Sequence, residues 1–339
     1  MKSGFVPQRV LPGLALCIAI SLAAAAGGAA QHALLGRAWI EPLVLAILIG
    51  AAARTAWTPD ARWKPGIDLS AKQLLEVAIV LLGLTLDVPL LLRAGPVLAL
   101  GIVVAVAAAL GTGYGLGRAL GLRRKLALLV GVGNAICGNS AIAAVAPVID
   151  AEPGDVASSI AFTAVLGVVV VLTLPHLRGV LSLSEYQYGV IAGLTVYAVP
   201  QVLAATLPVS TLSGQVGTLV KLTRVLMLGP IVLGVSVALR RRGRQPRARI
   251  ALGRLVPWFI VGFLLLAGVR ATGVVPAVVV DVARTVSGAL TVLAMAALGL
   301  GVDVRALGKV GAAVTATATG ALLLLLAISL GLVKGLGIG

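Results

Sequence analysis

Apolar residues along this chain come in long runs rather than at helical or alternating spacing, and each run is closed by a short polar or basic break. Runs of about 18 or more apolar residues are the length that crosses the hydrocarbon core of a bilayer as a helix. Runs and breaks together predict eleven spans, near residues 10–30, 39–53, 73–92, 96–117, 126–148, 156–175, 187–206, 216–239, 255–270, 284–302 and 310–333. The fold class that follows is an all-α membrane protein with about eleven transmembrane helices, because only helices or closed barrels satisfy their own backbone in lipid. A single polytopic domain over 1–339 is expected. The longest polar link, Arg240 to Arg254, is too short and too charged to fold alone. It reads as a solvated cytoplasmic loop that can touch anionic lipid.

Composition agrees. Sixty per cent of the 339 residues are hydrophobic and 11% charged, more apolar surface than a soluble domain of this length can hide. The 42 glycines suit close helix–helix approach in lipid. A net charge of +16 would suggest nucleic acid in a soluble protein, but here the bases sit in the breaks between runs, so no nucleic-acid partner is expected. With the N-terminus in the cytoplasm, the inner breaks collect 20 of the 27 basic residues, and the outer ones only Arg37, Arg93, Arg270, Arg284 and Lys334. That bias sets an orientation with the C-terminus outside. It also places Arg123, Arg124 and Lys125 inside and the loop of Asp150, Glu152 and Asp155 outside. Cys17 and Cys137 lie in apolar runs, and His32 and His176 are far apart, so neither a disulfide framework nor a metal site is expected, and no cofactor. Lys2 and Arg9 before Val10–Ala26 resemble a signal peptide. Leu11–Ala30 is long enough to cross, so a retained first span is the expectation.

Two features suggest an internal repeat. Leu82-Gly83-Leu84-Thr85-Leu86-Asp87 in span 3 echoes Leu298-Gly299-Leu300-Gly301-Val302-Asp303 in span 10. Separately, if 1–38 is an extra helix, spans 2–6 (39–175) and 7–11 (187–334) form two inverted five-helix halves. Spans 5 and 10 then correspond, and both carry glycines, which predicts discontinuous crossing helices there. Gly-broken spans at matching places mark the binding sites of many transporters.

Span 5 is the richest in chemistry. Gly131, Gly133, Asn134, Cys137, Gly138, Asn139 and Ser140 fall within ten residues in mid-membrane. Glycine costs about 1 kcal/mol in a helix interior, and asparagine is expensive in hydrocarbon unless partnered. Packing of small residues explains the glycines but not two asparagines. A helix break explains both: Asn139 or Ser140 caps the next half-helix, whose positive end can face an anion. In span 8, Lys221 and Arg224 share a helical face, about 8 and 12 Å from the outer end. Charges inside a span face a cavity or a partner; these two contact an anionic substrate or pair with Glu76 or Asp87. In span 3, Glu76 is a candidate coupling carboxylate, as is Asp303 at the end of span 10. In span 7, Pro200 predicts a kink, and Tyr197 and Gln201 share a face that can line a polar path. Substrate-binding candidates are therefore Asn134, Cys137, Gly138, Asn139, Ser140, Lys221, Arg224 and Gln201, with Gly299 and Gly301 of span 10.

Taken together, these segments resemble the YeiH-type family of bacterial inner-membrane proteins, often labelled sulfate exporters. The resemblance covers nearly the whole chain. It rests on Ala71-Lys72-Gln73, Gly131 to Ala141 centred on Ile136-Cys137-Gly138, Gln201 to Ala205, Lys221 to Pro230, Pro257-Trp258-Phe259 and Met295 to Leu300. It implies ten or eleven helices and a core of inverted repeats like those of bile-acid symporters and cation/proton antiporters. The chain departs from the family pattern at Tyr197 and Ala198, where a His–acidic pair is common, and at Thr85, where Arg is common. A proton-handling histidine therefore does not carry over. The expected function is export of a small anion, sulfate or another sulfur-containing anion first, by alternating access in which the anion sits between the breaks in spans 5 and 10. The coupling ion is a proton or sodium, and a homodimer is allowed. No GxxxxGK[ST] motif for ATP is present. The rival readings are a sodium-coupled organic-anion importer, a passive anion channel and, from another class, a membrane-embedded enzyme on lipid-linked substrates. The scattered acidic residues offer the enzyme no cluster for metal or acid–base work.

Overall fold

The computed structural model describes residues 7–35, 40–86, 95–241, 257–303, 305 and 311–335. Among them all regular structure is helical, and helix or a pair of short helices occupies each of the eleven predicted stretches. The elements are α1 (Pro7–Leu35), α2 (Pro42–Ala56), α3 (Lys64–Leu69) and α4 (Leu75–Leu82); α5 (Gly95–Ala119), α6 (Arg124–Ala135), α7 (Asn139–Val145) and α8 (Pro153–Leu181); α9 (Glu185–Thr195), α10 (Val199–Thr206), α11 (Thr211–Leu226) and α12 (Leu228–Arg241); and α13 (Trp258–Ala271), α14 (Ala277–Leu300) and α15 (Ala312–Gly335). Among the described residues, six segments are long and apolar enough to cross a membrane: Arg9–Leu34, Gly95–Ala119, Pro153–Leu181, Thr211–Ala238, Ala277–Leu300 and Ala312–Gly335. The chain is a multi-pass membrane protein. Asp87 of the six-residue echo, Lys309 and the loop from residue 242 to Arg254 lie outside the described residues.

The chain divides into two compact units, Met1–Val88 with Trp258–Arg305, and Pro89–Pro257 with Ala306–Gly339. In the first, glycines let backbones touch. A Cβ on Gly13 of α1 would lie 2.0 Å from the Trp63 carbonyl oxygen, and one on Gly66 of α3 would lie 2.2 Å from that of Val10. Gly13→Leu is therefore expected to drive α1 from α3 and lower the melting temperature of the purified protein by several degrees, since overpacking costs about 1–3 kcal/mol. An unchanged melting curve would show that α1 does not pack there. α2 and α14 meet the same way: a Cβ on Gly299 would lie 2.4 Å from the Ile47 carbonyl oxygen, and one on Gly50 would lie 2.5 Å from that of Ala296. Ser287 on α14 donates to the Ala78 carbonyl on α4 at 2.8 Å. Between α3 and α4 the helix widens to a π-turn at Ser70–Leu74, and past α4 it tightens to a 3-10 turn at Gly83–Thr85.

α14 corrects one expectation. It runs unbroken from Ala277 to Leu300, so span 10 is not discontinuous. Gly299 serves close packing on α2, and Gly301 only ends the helix.

In the second unit, span 5 is broken but does not go straight through. α6 enters from Arg123, turns at Ile136–Gly138, and α7 brings the chain back. Arg123 Nη1 lies 2.6 Å from Glu152 Oε1 and Nη2 lies 2.7 Å from Asp155 Oδ1, while the Lys125 ammonium is 4.0 Å from Asp150. A straight helix from 123 to 150 would hold its ends about 40 Å apart. The bases and acids that the charge pattern assigns to opposite membrane faces are therefore ion-paired at one end of the unit. α8, 29 residues or about 43 Å long, leads to the other end. There Arg178 lies 3.6 Å from Glu185, and a second hairpin begins. Ser184 and Gln187 form a capping box that starts α9. The chain breaks at Val196–Ala198 with extended backbone, and Pro200 falls in the first turn of α10, where its missing N–H costs nothing. Pro200 thus marks a new helix rather than a kink. The hairpin closes through Tyr188 Oη to the Ala205 carbonyl and Ser213 Oγ to the Glu185 carbonyl, both 2.7 Å. The second broken span is therefore span 7.

Candidate functional site

The two hairpins enter the second unit from opposite ends of α8, and their tips meet at two cations on α11. Lys221 and Arg224 lie three residues apart on the face of α11 that packs along α9, and they are 0% and 1% exposed. Close approach is possible because Gly193 stands where a Cβ would lie 2.6 Å from the Gly217 carbonyl oxygen.

Their partners are helix ends. The last four carbonyls of a helix have no intrahelical donor. In α6, those of Val132 and Gly133 accept from the backbone N–H groups of Ile136 and Gly138. The next two accept from Arg224: Nη2 donates to Asn134 and Ala135 at 2.8 and 2.9 Å, and Nε to Ala135 at 3.1 Å. Arg224 Nη1 reaches the other hairpin, donating to the Gly193 carbonyl at 2.9 Å and that of Val196 at 3.4 Å. All five guanidinium N–H groups are engaged. The Lys221 ammonium donates to the Ile136 carbonyl and, at 2.8 Å, to that of Val196. Each cation therefore bridges both tips.

Charge at this junction does not cancel. Each helix C-terminus carries roughly half a negative charge, so two of them offset about one of the two cations. No carboxylate pairs with either cation among the described residues; the acids of this unit, Asp150, Glu152, Asp155 and Glu185, sit at its two ends in other ion pairs. The two basic side chains are held by helix-end carbonyls without an acidic partner among the described residues.

The sequence candidates separate around this point. Asn134, buried, is partnered at both amide atoms: Tyr197 Oη donates to its Oδ1, and its Nδ2 donates to the Ala318 carbonyl on α15 at 3.2 Å. Gln201, also buried, accepts from the Ala198 N–H at 3.2 Å and lies over Gly167 of α8. Gly138 makes the turn, with φ +64° that only glycine adopts freely. Arg224 braces the tips, with its guanidinium N–H groups on carbonyls of both hairpins. Cys137 is half-buried, and Asn139 and Ser140 are exposed just past the tip. Thr163 Oγ1 on α8 donates to Asn139 Oδ1 at 2.6 Å and so orients that amide. These three residues form an exposed polar mouth beside the buried positive charge. Gly299, Gly301 and the coupling candidates Glu76 and Asp303 belong to the first unit. There Glu76 accepts from Trp258 Nε1 at 2.7 Å, and Asp303 accepts from the Arg305 N–H at 3.0 Å. Sequence reasoning missed Thr163 and the backbone at Gly193 and Val196; nothing in a threonine or a carbonyl announces a distant partner.

The fold and this junction define a class: a polytopic helical membrane protein with paired cations at the meeting point of two opposed hairpins. Comparison gives the family. The profile described as Conserved hypothetical protein 698 matches residues 12–318. The chain is 52% identical to a UPF0324 membrane protein of Brucella melitensis over 331 residues, 98% of this chain and 92% of that one. It is 52% identical to another from Bradyrhizobium diazoefficiens over 325 residues, 96% and 92% of the two chains. Identity to a UPF0324 membrane protein of Bacillus cereus is 32% over 269 residues, 79% of this chain and 76% of that one. The chain belongs to the UPF0324 family, which is the YeiH-type family it resembles by sequence.

Proposed function

We propose that this protein is a secondary transporter that exports a small anion, sulfate or another sulfur-containing anion first, across the bacterial plasma membrane. The observation that carries the reading is the burial of Lys221 and Arg224, with no carboxylate partner among the described residues, at the junction of two hairpins that enter from opposite ends. Uncompensated positive charge in a low-dielectric interior attracts an anion without touching it. Asn139 and Ser140 at the mouth supply hydrogen bonds, and Arg224 acts through the field and by holding the tips together. Broken elements that reach mid-membrane are the usual setting for alternating access. Arg118, Arg123, Arg124 and Lys125 make the first hairpin's end the cytoplasmic one. Two re-entrant hairpins then replace two of the eleven crossings, and the N-terminus inside and C-terminus outside are unchanged. Transport needs no enzymatic step or cofactor; the driving ion is a proton or sodium.

Counterflow of radiolabelled sulfate in proteoliposomes tests this. Native protein should exchange sulfate saturably, and Asn139→Ala and Ser140→Ala should each slow exchange about tenfold while remaining folded, the effect of about 1.4 kcal/mol lost per polar contact. Folded native protein that exchanges neither sulfate, thiosulfate nor taurine would overturn the reading. Non-saturable flux would favour a channel, and strict sodium dependence of organic-anion uptake would favour an importer.

A further inference from the structure

We infer that Lys221 is a tethered cation occupying a carbonyl-lined site for a monovalent cation, and that cutting the side chain back leaves this site open to a free ammonium ion. The inference stands apart from any reading of the anion. The Ile136 and Val196 carbonyls converge on the Lys221 nitrogen from two different hairpins, and both belong to helix ends, where the macrodipole is negative. Among the described residues no backbone N–H donates to either carbonyl, and Val196 has besides Lys221 only the long 3.4 Å contact from Arg224 Nη1. A buried carbonyl without a donor costs free energy, so the facing carbonyls call for a donor between them, and the negative helix ends favour a positive one. Backbone carbonyls converging on one point are also how membrane proteins replace the hydration shell of a free ion. Here the ion is covalently attached through a side chain that is itself 0% exposed. Arg224 does not substitute for it, because its five N–H groups already have carbonyl partners and none reaches Ile136.

The consequence concerns ion dependence. A site permanently filled by its own ammonium cannot be emptied by dilution, so junction stability in the native protein is independent of small cations. Lys221→Ala removes the three methylenes beyond Cβ and the charge together, leaving room for methylammonium at the ammonium position. Choline, a quaternary cation, has the charge but no N–H to donate.

The test is thermal melting of the purified full-length protein, native and Lys221→Ala, in detergent at constant ionic strength with methylammonium exchanged for choline. Lys221→Ala should melt well below native and rise by about 5 °C as methylammonium replaces choline, while the native curve stays flat. Equal melting of the variant in the two salts overturns the inference, as does an equal methylammonium rise in the native protein. If Lys221→Ala is not recovered folded, Lys221→Gln decides: its amide fills the space and donates N–H groups without charge. It should melt below native in either salt. A Gln variant as stable as native would show that no cation is needed.

Discussion

Arg224→Ala should yield little folded protein. Removing the guanidinium leaves the carbonyls of Asn134, Ala135 and Gly193 without their donor, and weakens the satisfaction of Val196. Each stranded buried group costs about 1–3 kcal/mol, so the sum is at least about 3 kcal/mol, against total stabilities of about 5–15 kcal/mol. Both hairpin tips lose their brace at once. The measurement is the fraction of monodisperse protein after size-exclusion chromatography, with the melting temperature of whatever survives. Arg224→Lys keeps the charge but can donate at most three hydrogen bonds from one point instead of five from a planar fork; it should be recovered at reduced stability. An alanine variant as stable as native would mean that the guanidinium does not hold the tips, and the direct anion contact would return as its role.

Sidedness provides the second large effect, because it is all or none. Single cysteines at Lys125, Glu152 and Glu185, in a chain with Cys17 and Cys137 replaced by alanine, should react with an impermeant maleimide from fixed sides of intact cells or oriented vesicles. Lys125→Cys and Glu152→Cys should label from the same side and Glu185→Cys from the opposite one. The reason is geometric: the Arg123 ion pairs with Glu152 and Asp155 place residues 123–125 and 150–155 at one end, and α8 carries the chain to the other. Lys125 and Glu152 labelling from opposite sides would restore span 5 as a crossing and remove the hairpin.

The ion pairs at the hairpin base are about 60% exposed on the Arg123 side, so they report position more than they contribute stability. The helix-end hydrogen bonds at the tips are buried and hold the arrangement. Charge counting assigns the acidic loop and residues 123–125 to opposite faces, although the two are ion-paired. The rule for basic residues weighs arginine and lysine and is nearly blind to Asp and Glu, so a loop with three acids and no base looks external wherever it lies.

What the linear pattern determined by itself was the class of molecule. Long apolar runs with basic breaks require membrane-crossing helices, because a bilayer leaves backbone groups no other partner, and helix fills every predicted stretch among the described residues. The clustering of Gly131 to Ser140 announced a break, because glycine and asparagine together are intolerable in an unbroken membrane helix, and the break is at Ile136–Gly138. Lys221 and Arg224 announced themselves by the cost of charge in lipid. Tertiary structure alone decided the rest. A broken run reads the same whether the chain continues or folds back, since hydropathy has no direction; only the Arg123 contacts reveal the return. Glycine reads the same in a hinge and in a packing contact, so Gly299 was placed at a break although it lies against Ile47. The partners of the two cations were invisible for the deepest reason. They are backbone carbonyls, which every residue possesses, and only the three-dimensional meeting of two helix ends turns them into a site.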